Sequence, residues 1–156
     1  MTCPYCKAQI TENDVFCPAC DSQLYTPKDL LTTTSISPVD SILKWIEAYR
    51  SGHYSLGQFQ VKVNWLVEAV KLQKEQIEAM RIPENASENA KESKESFIKI
   101  LGLMLEALEK TDKHLREGNV ELLKESLVTI HDVHNRLHDL KDRMVDSFSR
   151  DELKRE

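Results

Sequence analysis

All four cysteines of the chain lie near its start, in two Cys-Pro-x-Cys pairs. The first pair is Cys3 and Cys6, the second is Cys17 and Cys20, and ten residues separate the two pairs. Two residues between paired cysteines let the backbone turn tightly enough for both sulfurs to reach one ion. Thiolates are favoured ligands of structural zinc, which takes four ligands at tetrahedral corners. The spacing therefore predicts one zinc ion, held by all four thiolates, with no open coordination position for catalysis.

The first pair has a second interpretation, because Cys-Pro-Tyr-Cys is also the redox motif of glutaredoxins. That chemistry places the pair after a strand, at the N-terminus of a helix in a βαβ fold, where the first thiol's pKa is lowered. In this chain the pair begins at Cys3, no βαβ pattern follows, and the second pair would have no role. Zinc binding is the favoured prediction, and a redox pair or thiol switch is the alternative.

Residues 3–25 resemble the zinc ribbon family, specifically small bacterial and archaeal N-terminal ribbons with the form Cys-Pro-x-Cys … Phe-Cys-Pro-x-Cys. The resemblance implies two facing turns and carries the ligand role to the four cysteines one by one. Family members usually place glycine after each second cysteine, where the backbone often needs a positive φ angle. This chain has Lys7 and Asp21 there. Because Asp tolerates that conformation better than Lys, we expect more strain in the first turn.

The residues after the ribbon carry the start and stop signals of helices. Ser37 followed by proline predicts the start of a first helix, and Gly52 its end. Ser55 and Gln58 have the form of a capping box for a second helix, which Pro83 must end. Apolar side chains recur along that second helix at spacings of three and four: Leu56, Phe59, Val63, Leu66, Val70, Ile77 and Met80, with Gln73 in the remaining slot.

Two further helices follow. Ser87 or Ser93 can open the third, and Gly118 followed at once by Asn119 predicts a glycine C-cap and a new N-cap with almost no loop. A turn this short forces the third and fourth helices to lie antiparallel. The predicted fold is mainly α: an antiparallel helical bundle of three long helices and one shorter helix, with coiled-coil-like spacing, behind a small N-terminal zinc ribbon. The predicted division is ribbon 1–25, linker 26–37, bundle 38–150 and charged tail 151–156.

Charge and hydropathy argue against two classes of function, nucleic-acid binding and membrane insertion. The net charge of −5 and pI near 5.6 argue against binding to nucleic acid, which usually requires a clustered basic surface. No apolar stretch is long enough to span a bilayer, and no apolar run follows the N-terminus, so we expect neither membrane insertion nor a secretory signal. A cytoplasmic location follows as an expectation, and in that reducing compartment the cysteines are metal ligands rather than disulfides.

Two other groups of side chains are candidates for a role. His131, His134 and His138 form a stripe on the fourth helix, which could bind a second metal ion or make packing sensitive to pH, although half-buried packing histidines are the favoured interpretation. Trp45 and Trp65 lie on neighbouring helices, where packing in the core is favoured over an exposed binding patch.

No phosphate-binding loop, nucleophile elbow or clustered carboxylate pair appears, so we expect no enzymatic activity. The predicted function is a non-catalytic, zinc-binding adaptor of bacterial type that contacts another protein or a second copy of itself. The first alternative is a nucleic-acid-associated factor of transcription or translation, by analogy with other zinc ribbons. The second is a thiol redox sensor that releases zinc on oxidation.

Overall fold

The fold is mainly helical, as predicted. A computed structural model describes residues 1–32 and 36–155. For residues 120–122 and 144–155 it describes the backbone and not the side chains. Parts of the predicted linker and of the charged tail therefore lie outside the described residues. The described residues contain no β-strand, only two isolated β-bridges. The helices are α1 (Pro38–Arg50), α2 (Leu56–Ala79), α3 (Glu88–Glu117) and α4 (Val120–Arg155), and a short 3-10 helix, Pro27–Leu31, precedes them.

The chain divides into two compact units, Met1–Gln73 and Lys74–Glu156. The first unit contains the four cysteines, the 3-10 helix, α1 and most of α2. The second contains the last residues of α2 with α3 and α4. The ribbon, linker, bundle and tail boundaries proposed from the sequence stay a prediction. No helix among the described residues combines the length and the apolar character needed to cross a membrane.

Local capping chemistry sets the ends of α1 and α2. The Ser37 hydroxyl accepts a hydrogen bond from the Asp40 amide at 3.3 Å, and Gly52, with φ +82°, follows the end of α1. The capping box of α2 is complete: the Ser55 amide donates to the Gln58 side chain at 2.8 Å, and the Gln58 amide donates back to the Ser55 hydroxyl at 3.2 Å. These predicted helix starts are confirmed.

The core of the first unit lies between α1 and α2. Tyr49 stacks on Phe59 with ring centroids 4.7 Å apart, and Trp45 meets Trp65 edge to face at 6.4 Å. Both tryptophans are buried, so the prediction that they pack in the core is confirmed. The other buried apolar side chains of the two helices are Val39, Ile42, Ile46, Val63, Leu66, Ala69 and Val70.

The apolar seam predicted along α2 is buried only in its middle. Leu56 is 47% exposed and Met80 is 58% exposed, whereas the side chains from Phe59 to Val70 on that face are buried. Lys62 is buried with them, which an apolar pattern does not predict. Contacts with the rest of the first unit therefore determine which residues of α2 are buried, and the apolar spacing alone does not.

In the second unit α3 packs against α4 across a very short turn. Ser87, one of the two predicted caps, opens α3 by accepting from the Ala90 amide at 3.3 Å. Gly118 ends α3 with φ +64°, and its amide donates to the His114 carbonyl at 2.7 Å. The buried apolar side chains are Ile100, Leu101, Met104, Ala107, Leu108, Leu115, Leu123, Ile130, Val133 and Leu140.

Candidate metal centre

The four cysteine sulfurs converge on one point. All four Sγ atoms lie within 4.8 Å of one another, and the contacts that cross between pairs are Cys3–Cys20 at 3.7 Å and Cys6–Cys17 at 3.6 Å. A tetrahedral zinc with bonds near 2.3 Å places its sulfurs about 3.8 Å apart. The donor set and its spacing therefore fit a single metal ion bound by all four thiolates.

Two turns with the same hydrogen bonds carry the two cysteine pairs. The Lys7 amide donates to the Cys3 carbonyl at 2.9 Å, and the Asp21 amide donates to the Cys17 carbonyl at 2.8 Å. The β-bridges are likewise equivalent, Thr2 with Gln9 and Phe16 with Gln23. The site is thus a two-fold repeat of one turn, offset by the distance in sequence between Cys3 and Cys17.

Both turns adopt the backbone conformation expected after the second cysteine. Lys7 has φ +66° and Asp21 has φ +61°, the left-handed region that favours glycine. The prediction that these two positions need a positive φ is confirmed. Their side chains differ. Lys7 is exposed and donates a hydrogen bond to the Pro4 carbonyl at 3.2 Å, whereas the Asp21 carboxylate accepts a hydrogen bond from Lys62 of α2.

Burial divides the four cysteines into two types. Cys3 and Cys17, the first cysteine of each turn, are buried, and Cys6 and Cys20 are exposed. The buried pair belongs to a small apolar cluster with Ile10, Ala8 and Leu24. This cluster is far smaller than an ordinary domain core, so a metal ion held by the four cysteines would supply most of the stability of the turns.

The thiols of Cys6 and Cys20 differ in acidity. The hydrogen bonds that Cys20 makes with the side chain and backbone of Ser22 lower the pKa of Cys20 to about 6. The Ala8 amide lowers the pKa of Cys6, but lost hydration and contact with the other three cysteines outweigh it and raise that pKa to about 12. Because zinc binds thiolates, the ion must displace the protons that remain on the thiols at neutral pH.

Aromatic residues join the second turn to the helices of the first unit. Phe16, immediately before Cys17, meets Trp45 at 5.6 Å and Trp65 at 6.4 Å, both edge to face. The Trp65 indole donates to the Tyr25 carbonyl at 2.9 Å. The module that carries the cysteines is therefore packed against α1 and α2, not tethered to them by the linker alone.

Two lysines of the helices pair with aspartates of this module. Lys44 of α1 lies 3.4 Å from the Asp14 carboxylate but is 68% exposed. Lys62 of α2 lies 2.5 Å from Asp21 and is completely buried. Lys62 was not among the predicted functional residues, although its position three residues after the buried Phe59 and four before the buried Leu66 places it on the covered face of α2.

The histidine stripe is exposed rather than half-buried. His131, His134 and His138 all lie on the solvent side of α4, and His138 Nδ1 is 3.3 Å from the Asp142 carboxylate. Within the described part of the chain, the four cysteines are the one group of three or more potential ligands close enough to share an ion. Metal binding by the histidines stays a prediction.

Comparison of the chain with protein-family models, with curated proteins and with solved structures gives no match. The interpretation of the cysteine site therefore depends on its own geometry. That geometry consists of four converging sulfurs, two equivalent turns and a positive φ after each second cysteine.

Proposed function

We propose that the four cysteines form a zinc ribbon holding one structural zinc ion, and that the chain acts as a non-catalytic adaptor that binds another protein. The convergence of the four Sγ atoms within 4.8 Å carries this proposal. Four thiolates complete the coordination of zinc, so no position remains for a water or a substrate. The metal then serves to hold the fold of the turns.

The two turns offer different surfaces to a partner. Phe16 of the second turn packs against Trp45 and Trp65, which cover that turn. The first carries Tyr5, which lies between its two cysteines and is 69% exposed. An exposed tyrosine on a rigid turn is a common anchor at protein interfaces. This asymmetry supports a role in which one turn fixes the ribbon to the helices and the other contacts the partner.

A thiol redox sensor is the second candidate, and the exposure of Cys6 and Cys20 favours it. In that role hydrogen peroxide would oxidise two thiolates to a disulfide. Two electrons would pass to the peroxide, which takes up two protons and leaves as two waters, and zinc would be released. The nucleic-acid alternative has no comparable support, because a zinc ion bound by four thiolates is anionic and the chain has a net charge of −5, the wrong sign for contacts with phosphates.

Metal analysis tests the proposed zinc site. Full-length protein made under reducing, metal-replete conditions should contain one zinc per chain, and Cys17→Ser should lose it. Ser51→Ala, in the turn after α1, is a suitable control, because the Ser51 hydroxyl contacts Ala48 and His53 and no cysteine. Wild-type protein without tightly bound metal would refute the zinc ribbon.

Binding assays separate the candidate functions. For the adaptor, a partner captured by full-length protein should be lost with Tyr5→Ala while the zinc content stays unchanged. Light scattering of the purified chain would reveal whether that partner is a second copy. Loss of zinc at low peroxide doses, reversed by reductant, would favour the redox sensor, and a salt-sensitive gel shift would favour nucleic-acid binding.

A further inference from the structure

The two cysteine turns are equivalent in backbone but not in their neighbours. At the first turn the flanking residues Thr2 and Lys7 are exposed. At the second turn their counterparts are Phe16 and Asp21, and both contact Lys62 of α2. The helix therefore contacts the second turn on both sides, and no such contact to Thr2 or Lys7 occurs among the described residues.

Lys62 has a fully enclosed side chain with a single carboxylate partner among the described contacts. Its Nζ atom lies 2.5 Å from Asp21 Oδ1, 4.5 Å above the Phe16 ring and 4.2 Å above the Tyr54 ring. Aromatic faces attract a cation, and the carboxylate neutralises it. Lysine is almost never fully buried unless it is paired, so this arrangement requires the second turn to stay in place.

The dependence also runs in the other direction. Asp21 has a positive φ, and its amide closes the turn by donating to the Cys17 carbonyl. An ion pair to a helix holds the Asp21 side chain, which favours the one backbone conformation that lets the second cysteine pair face the first. Groups that orient metal ligands from outside the coordination sphere typically change metal affinity by about 10–100-fold when they are mutated.

Resting on the zinc site of the proposed function, we propose that Lys62 is a positioning residue of the metal centre. It fixes Phe16 and Asp21 on either side of the second cysteine pair. Metal binding and the packing of the ribbon on α1 and α2 are consequently one event. Loss of the metal unfolds the second turn. Lys62 then loses its ion pair with the Asp21 carboxylate, and Trp45 and Trp65 become exposed to solvent.

Tryptophan fluorescence tests the coupling, because Trp45 and Trp65 are the chain's two tryptophans and both contact Phe16. Zinc is removed from the full-length protein with a chelator under reducing, oxygen-free conditions, and metal content is measured in parallel. The expected result is a red shift of the emission and stronger quenching by acrylamide, both reversed by added zinc. Complete zinc loss with unchanged emission would overturn the proposal.

Substitution of the two helix lysines tests the positioning role. Lys62→Met keeps the length of the side chain and removes its charge, and zinc affinity measured against a chromophoric chelator should fall by about 10–100-fold. Lys44→Met is the matched control, since it removes the exposed partner of Asp14, and it should stay within about threefold of wild type. Equal affinities of the two variants would contradict the proposal.

A third variant keeps the test decisive if Lys62→Met unfolds. Asp21→Asn retains a residue that tolerates positive φ and removes the carboxylate, so it should weaken zinc binding without abolishing it. Cobalt(II), used as a spectroscopic probe, should give a tetrahedral tetrathiolate spectrum in wild type and an altered one in Asp21→Asn. An unaltered spectrum and affinity would refute the positioning role, whereas absence of metal from wild-type protein would refute the proposed function itself.

Discussion

Lys7 and Asp21 illustrate how the same backbone conformation is supported differently in two equivalent turns. Asp21 gains an ion pair with Lys62, while Lys7 makes only an exposed hydrogen bond to Pro4. A left-handed conformation costs a non-glycine residue roughly 1–2 kcal/mol. Among the described residues no ion pair offsets that cost at Lys7, and the greater strain expected in the first turn stays a prediction.

Lys7→Gly should therefore stabilise the metal-bound protein by about 1 kcal/mol, because glycine adopts φ +66° without steric strain. Thermal unfolding of the zinc-loaded chain measures the effect. Lys7→Ala is the control, since it removes the same side chain and keeps the strain, so it should not stabilise. Asp21→Gly should instead destabilise, because the ion pair to Lys62 is lost. Stabilisation by both glycine variants would contradict this account.

The acidity of the thiols predicts how zinc affinity changes with pH. Because loss of the metal unfolds the second turn, its free cysteine thiols, with an ordinary pKa of about 8.5, are mostly protonated at neutral pH. Zinc binding must displace each bound proton, and every displaced proton weakens binding by about tenfold for each unit by which the pH falls.

Zinc affinity should accordingly fall as the pH is lowered, because the thiols of the metal-free protein are protonated and zinc must displace each proton. Competition with a chelator of known pH dependence measures this slope. Ser22→Ala should weaken binding without changing the slope, because its hydrogen bond to Cys20 exists only in the folded turn. Zinc affinity that does not depend on pH would contradict binding by thiolates.

Helix ends are the element-scale features that the sequence predicts well, because capping is decided by a few adjacent residues. Ser37, the Ser55–Gln58 box, Ser87 and Gly118 all have their predicted roles. The buried face of α2 was predicted less well, since it depends on contacts with residues far away in the chain. Lys62 is covered by Phe16 and Asp21, and no local pattern reveals those partners.

Alanine substitutions at Gly102, within α3, and at Gly118, its C-cap, should change the stability of the protein in opposite directions. Gly118 has φ +64°, whereas Gly102 lies within the helix, and a Cβ at either position would meet nothing within 4 Å. Gly118→Ala should destabilise by about 1 kcal/mol, because alanine is strained at positive φ. Gly102→Ala should stabilise by a similar amount, up to about 1 kcal/mol, through helix propensity. Denaturant unfolding of the full chain compares the two, and effects of the same sign would contradict this assignment.

At the scale of the whole molecule, the four cysteines belong to one of the two compact units. Sequence spacing predicted the clustering of the cysteines and the class of fold, because both are expressed in local patterns. It did not predict that Phe16 packs directly on Trp45 and Trp65. This packing brings together aromatic residues that are far apart in the sequence, so no local pattern predicts it.

Metal removal should consequently affect the two units unequally. Amides of Met1–Gln73 should lose protection from hydrogen exchange when zinc is chelated, because Phe16 and the ion pair of Lys62 connect the ribbon to the core of α1 and α2. Amides of α3 should remain protected, because its buried side chains, such as Met104 and Leu108, form part of the second compact unit. Hydrogen exchange read out by mass spectrometry, with and without chelator, resolves both regions in one sample. Uniform loss of protection along the chain would mean that zinc stabilises the protein as one cooperative unit, and unchanged protection in α1 and α2 would mean that it stabilises the ribbon alone.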